Sequence, residues 1–404
     1  MTTRPSVWIA TAALSALGVW SSAAQTIQYD VTFIPEAPGS FSTLPTDINN
    51  QGVVVGVAQF SGPSFFLRGW RWTERTGIEF LPPPPGAMSN RYEANQILDS
   101  GVVLGDGGFD SGLAWLLRDG VYTIIGTLPG LNASLGVSAN AVDTVVGTAF
   151  NSQSFLTPRR GYVYTPATGI QDLLADLGGA TAGIAVNDAG QILAAGSIGA
   201  VRIEPDGART PLPTAAGFAA TAPQVINQSG DVSGVFVCSQ ECNQVFLFTD
   251  ESGMQLLPAI AVRQSVSDIN AQRELVGRIT EGAARAWRWR PQEGFVLLQD
   301  LVDPALNLQI HDAWANNDRG QIIATGLDLS DPRAPRRRML LTPIGRAPGD
   351  LDGDGDVDLA DLAVMLSTFG LCDGDAGFVV PADINNDGCV GLDDLATLLA
   401  NFGR

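Results

Sequence analysis

Residues 349–404 contain twelve aspartates, no glutamate and a single arginine. Their spacing is regular. Asp350, Asp352, Asp354, Gly355, Asp356, Asp358 and Asp361 stand at positions 1, 3, 5, 6, 7, 9 and 12 of one segment. Asp383, Asn385, Asp387, Gly388, Cys389, Gly391 and Asp394 repeat that order in a second. Hard oxygens at alternate positions can converge on Ca2+, and glycine at position 6 permits the sharp turn. Position 7 gives its backbone carbonyl, so Asp356 and Cys389 would be ligands by main chain only. Gly391 at position 9 leaves its place to water. Two calcium ions are the expected cofactors. Loop one offers five side-chain carboxylates and loop two three, so the first is expected to bind more tightly. An acidic block without such spacing would read as a disordered tail.

These loops need elements to hold them. Each runs into a matched apolar segment, LAVMLSTFG from Leu362 and LATLLANFG from Leu395, 33 residues apart. Leu362, Met365, Leu366 and Phe369 recur at helical spacing, as do Leu395, Leu398, Leu399 and Phe402. That predicts one apolar face per helix, the two faces packed together. A module this short has a small core, so metal binding is expected to supply much of its folding energy.

The duplicated loop–helix order, with Asp at each position 12, resembles a type I dockerin over essentially all of residues 349–404. An ordinary EF-hand pair has a helix before each loop and normally Glu at position 12. The resemblance implies calcium-dependent docking to a cohesin-like partner, as in assemblies that degrade plant polysaccharides. Its docking positions fall on Leu359-Ala360 and Leu392-Asp393. The Ser-Thr type pair common in well-known members is absent, which leaves the partner open. A cell-surface attachment or a structural calcium module are the alternatives.

Composition narrows the rest. All 23 basic residues are arginine, which excludes a Walker-type phosphate loop and Schiff-base chemistry. His311 is the single histidine, so a Ser-His-Asp triad would need it, and a multi-histidine zinc or iron site cannot be built. The net charge of −19 argues against nucleic acid as a partner. Arg4, the apolar run from Val7 to Trp20 and Ser22-Ala23-Ala24 read as a signal peptide over residues 1–24. No later run is long enough to span a bilayer, so a secreted or cell-surface protein is expected. Four cysteines fit an oxidising compartment and fall as two local pairs, Cys238 with Cys242 and Cys372 with Cys389. A disulfide is reasonable for each; a CxxxC metal site is the alternative for the first.

The middle of the chain repeats itself. INNQGVVVG from Ile48, VNDAGQILAAG from Val186 and INQSGDVSG from Ile226 share one pattern, with weaker copies elsewhere. The equivalent positions are Asn49, Leu98, Asn140, Asn187, Asn227, Asn270 and Asn317, spaced 40 to 49 residues apart. A strand of alternating large apolar residues follows each, as in Trp70/Trp72, Tyr162/Tyr164, Phe246/Phe248 and Trp287/Trp289. Four short strands in about 45 residues is the period of a propeller blade. Mainly β architecture is therefore expected, a seven-bladed β-propeller over residues 27–345. A linker at 346–348 and the small helical calcium module at 349–404 follow it. The spare strand at Tyr29 is expected to complete the last blade. The Asn-Gly pairs suit tight turns, the Asn side chain bonding local backbone. The aromatic pairs suit packing.

These repeats resemble the HAF family of extracellular repeats, whose units pair an Ile-Asn-x-x-Gly-x-Val-Val-Gly core with an aromatic strand. The His-Ala-Phe signature itself is replaced by Arg68-Gly69-Trp70 and Arg285-Ala286-Trp287. The resemblance implies an exported β-repeat protein and supplies no mechanism. No sialidase-type turn and no catalytic set is visible. Three functions stay open: a non-catalytic binding or scaffolding protein, an O-glycosyl hydrolase of polysaccharide catabolism, or an adhesin or surface-layer component. The sequence does not identify the propeller's ligand; a glycan is one candidate. Asp47, Asp188 and Asp268 lie beside the repeated Asn, but nothing in the sequence selects a carboxylate pair.

Overall fold

The computed structural model describes residues 28–62, 66–85, 91–107, 112–154, 157–173, 181–196, 199–238, 242–344, 348–352, 357–385 and 387–403. The segment read as a signal peptide, most of the expected linker and the loop-one residues Asp354, Gly355 and Asp356 lie outside them. Among the described residues the strands form seven four-stranded antiparallel sheets. Six are built from consecutive strands, beginning with Ser42–Ile48, Val54–Phe60, Phe66–Thr73 and Gly77–Phe80 in blade 1. The seventh joins Leu308–Asn316, Ile322–Asp328 and Arg336–Pro343 to the N-terminal strand Tyr29–Ile34. Its register runs from Tyr29 opposite Pro343 to Ile34 opposite Arg338. The ring is thus closed by the two ends of the repeat region, which covers an edge that would otherwise invite pairing.

The repeat motif is legible as packing. In five of the seven blades the glycine ending the motif sits on the second strand, directly opposite the first aromatic of the third strand; Gly196 faces Gly199 and Gly326 faces Arg337 instead. Gly56 faces Trp70, Gly147 faces Tyr162 and Gly277 faces Trp287. A Cβ on Gly56 would lie 2.5 Å from the Trp70 ring and 2.1 Å from the Leu44 carbonyl oxygen. Only hydrogen leaves room for the indole to lie flat across the strand. Trp70, Tyr162, Phe246 and Trp287 are fully buried between blades.

The repeated Asn does two jobs. Its Oδ1 accepts from the backbone N–H four residues on, 2.9 Å from Val53 for Asn49 and from Gln191 for Asn187. That is the local turn role expected. Its Nδ2 also reaches the backbone carbonyl of the equivalent residue in the next blade. Asn49 bonds Leu98, Asn140 bonds Asn187, Asn187 bonds Asn227, Asn227 bonds Asn270, Asn270 bonds Asn317, and Asn317 returns to Asn49. Leu98, in the blade-2 copy, has no side chain to continue the chain of bonds. These links are buried and contribute roughly 1 kcal/mol each.

The C-terminal module is two helices, α1 (Leu359–Thr368) and α2 (Leu392–Asn401), around a separate small core of Leu351, Val357, Met365, Ala382, Val390 and Leu398. The expected helical face needs correcting. Both helices start three residues earlier than the apolar segments suggested, because Asp361 and Asp394 close the first turn by accepting from the N–H of Asp358 and Gly391. Met365 and Leu398 are buried, but Leu366, Phe369, Leu399 and Phe402 are exposed. The helix axis turns them away from the core.

Candidate functional site

The candidate metal centre lies in the module. Asp350, Asp352 and Asp361 bring one carboxylate oxygen each within 4.8 Å of one another. Asp361 is fully buried, as is Asp394 at the same position of loop two. Asp361 accepts from the N–H groups of Leu351 and Asp352 at 2.5 and 3.1 Å. In loop two, Asp383 accepts from Asp387 and Gly388, and Asp394 accepts from Asn385 and Gly391. Gly388 holds φ at +95°, the conformation that its place in the turn requires. Loop two therefore curls around its first and last carboxylates. The donor set is all oxygen, anionic and crowded, which fits a hard divalent cation such as calcium. Asp358 at position 9 also caps α1 through the Ala360 N–H. Asp354 and Asp356 fall outside the described residues.

The structure closes both cysteine pairs as disulfides, Cys238–Cys242 and Cys372–Cys389. The second ties the segment after α1 to loop two, as its position suggested.

Both helices present an apolar stripe to the outside. Leu359, Ala363 and Leu366 are exposed at i, i+4 and i+7 of α1, and Leu392, Ala396 and Leu399 match them on α2. Leu359 and Leu392 are 73% and 74% exposed, and Leu366 and Leu399 58% and 53%. Ala360 and Asp393 flank them and are exposed too. The docking positions drawn from sequence thus begin a longer face than expected. Counting in sevens from Leu359, rather than from Leu362, would have found it. No helix among the described residues is long and apolar enough to cross a membrane.

On the propeller, the carboxylates beside the repeated Asn are joints between blades. Asp47 accepts from the N–H groups of Ile48 and Ile97, and Asp268 from those of Ile269 and Asn316. Asp188 accepts from Ala141 N–H of the preceding blade. Burial raises Asp47 well above the usual carboxylate range, helped by the Asp268 charge. Burial likewise lifts Asp268 to about 7. A different pair, Glu93 directly opposite Asp106 on the inner strands of blade 2, was not singled out by sequence. Burial and then the Asp106 charge push Glu93 up to about 7. The two residues belong to different strands of a weak repeat copy, so no spacing pattern joins them. His311 is half-buried beside Asp312, which is paired with Arg278 at 3.0 Å.

Raised carboxyls have a stability consequence. Asp47, Asp268 and Glu93 bind protons more tightly folded than unfolded, so the native state holds more protons between about pH 4 and 7. The Asp268 and Glu93 contributions favour the fold at low pH and are lost as pH rises through about 7, and that of Asp47 is lost in the same direction. The propeller's melting temperature, followed in chelator, is expected to be higher at pH 5.5 than at pH 8. A flat or rising profile would contradict this.

No family model matches the chain, and no curated relative was found. Solved structures do resemble it. An oligogalacturonate lyase from Vibrio parahaemolyticus aligns at 10% identity and TM-score 0.52, over 78% of this chain and 97% of that one. TolB from Acinetobacter baumannii aligns at 14% and TM-score 0.40, over 72% of this chain and 63% of that one. The β-propeller domain of the Trilobed protease from Pyrococcus furiosus aligns at 9% and TM-score 0.45, over 74% and 95%. These likenesses concern the fold alone. The fold defines the chain as a mainly β protein, a seven-bladed β-propeller followed by two short helices.

Proposed function

We propose that the chain is a secreted, non-catalytic binding or scaffolding protein whose C-terminal module takes two Ca2+ ions and docks a partner protein. The observation that carries this reading is the carboxylate cluster of Asp350, Asp352 and Asp361 beside two exposed Leu-Ala-Leu stripes at matched positions of the two helices. A contiguous exposed apolar stripe on a module with so small a core is the kind of surface a partner covers. The ligands would be the side chains of Asp350, Asp352, Asp354, Asp358 and Asp361, then Asp383, Asn385, Asp387 and Asp394, with the carbonyls of Asp356 and Cys389. Calcium, when bound, neutralises the clustered carboxylates; the chain's own part is to order both helices and present their outer faces. The partner is a cohesin-like or cell-surface protein, and the propeller is the carried unit, offering a face to a glycan. An adhesin or surface-layer role uses the same module to stiffen an attachment.

The test is capture from the producing cell's secreted and surface proteins by the full chain, in calcium and in chelator. One partner retained only in calcium, and lost from a Leu366→Glu/Leu399→Glu variant that still binds calcium, is expected. Capture indifferent to calcium and to these substitutions would contradict docking. Glycoside hydrolysis is the second reading and has one observation behind it. Glu93, raised to about 7, can stay protonated beside Asp106 near neutral pH, as an acid–carboxylate pair requires.

A further inference from the structure

We infer that the Cys372–Cys389 disulfide positions the seventh residue of loop two and so sets that loop's calcium affinity, making one of the two sites conditional on this pair staying oxidised. The inference rests on the calcium reading above. Its basis is an asymmetry between two otherwise matched halves. In each half the carbonyl at loop position 8 accepts from the glycine that follows the other half's helix. Gly403 N–H donates to Val357 at 2.7 Å, and Gly370 N–H donates to Val390 at 2.8 Å. Only the second joint can hold a disulfide. Val390 N–H donates to Leu371 and Asp373 N–H to Gly388, both at 2.8 Å, and the disulfide joins Cys372 to Cys389 between them. Loop one carries Asp356 where loop two carries Cys389.

The clamp therefore sits on the poorer donor set. Loop two has three side-chain carboxylates against five, and glycine at position 9. Its position-7 ligand is a backbone carbonyl, which binds only if the chain holds it at the ion. A disulfide closing 17 residues removes open conformations of the unliganded segment by a factor on the order of 100. Because loop ordering and metal binding are coupled, that restriction enters the affinity of loop two first. Both cysteines are half-buried, open enough for a small thiol. A dithiol reductant would transfer two electrons, cleave the S–S bond and leave two cysteine thiols, itself becoming a cyclic disulfide.

Hydrogen exchange read by mass spectrometry reports each loop separately in the full chain. The calcium concentration that half-protects the 383–394 peptides is expected to rise at least tenfold in Cys372→Ser/Cys389→Ser. For the 350–361 peptides it should move less than about twofold. In a Cys238→Ser/Cys242→Ser background, dithiol reduction should give the same shift and reoxidation should reverse it, which keeps the test open if the double serine variant folds poorly. Equal shifts in both loops, or none, would overturn the inference and leave the calcium reading standing. Calcium-independent exchange in both loops would overturn both.

Discussion

Chelating calcium is expected to unfold residues 349–403 while the propeller stays intact. A module of this size has a core that supplies only about 3–5 kcal/mol. Two sites, each filled at about a hundredfold its dissociation constant, contribute roughly 2.7 kcal/mol apiece. Removing both ions takes away about as much as the core provides. It also takes the neutralising metal charge away from the fully buried Asp361 and Asp394 carboxylates. The expected readout is loss of the helical circular-dichroism signal of α1 and α2. Protease cleavage should become confined to the module, with a fragment spanning 28–344 surviving. Unchanged helicity and protease resistance in chelator would contradict it.

Truncating the closing strand is expected to have the larger effect on the propeller. Tyr29 and Ile34 are buried at 1% and 2% exposure, Ile34 against Trp70 and Tyr29 near Arg288, whose Nη1 donates to the Tyr29 hydroxyl at 2.9 Å. A Tyr29→Ala/Ile34→Ala variant should lose about 5 kcal/mol or more, from the usual cost of emptying an aromatic and an aliphatic core site. It also loosens the edge of Arg336–Pro343, so aggregation on heating should rise. Val142→Ala, an exposed site on a turn, serves as the control and should change stability by less than about 0.5 kcal/mol. Equal stability of the two variants, measured by denaturant unfolding, would contradict the closure.

Much of this architecture was legible because repetition amplifies weak local signals. One INNQG turn is ambiguous, but seven copies at near-constant spacing specify a ring, and the unmatched strand at Tyr29 specifies its closure. The second bond of each Asn was not legible. It joins residues 40 to 49 positions apart, or 268 where Asn317 meets Asn49, and only the assembled ring shows that Nδ2 faces a neighbour's carbonyl. The two acidic segments, each leading into a short helix, were legible from the spacing of Asp and the apolar residues after it. The orientation of the helices was not, because Leu362, Leu366 and Phe369 suit a helix face on either side of Met365. The start of α1 at Leu359, set by Asp361 folding back on Asp358, decides which side is inside. The Glu93–Asp106 pair depends on strand register, which spacing in a weak repeat does not encode.

The most direct measurement is the number of calcium ions held by the full, disulfide-bonded chain, counted by native mass spectrometry against added free calcium. Two ions per chain are expected, falling to one in Asp394→Ala, with loop one the first to fill. A chain that binds no calcium at millimolar concentration, or whose count is unchanged by Asp394→Ala, would contradict the assignment of residues 349–404 as a calcium-dependent docking module.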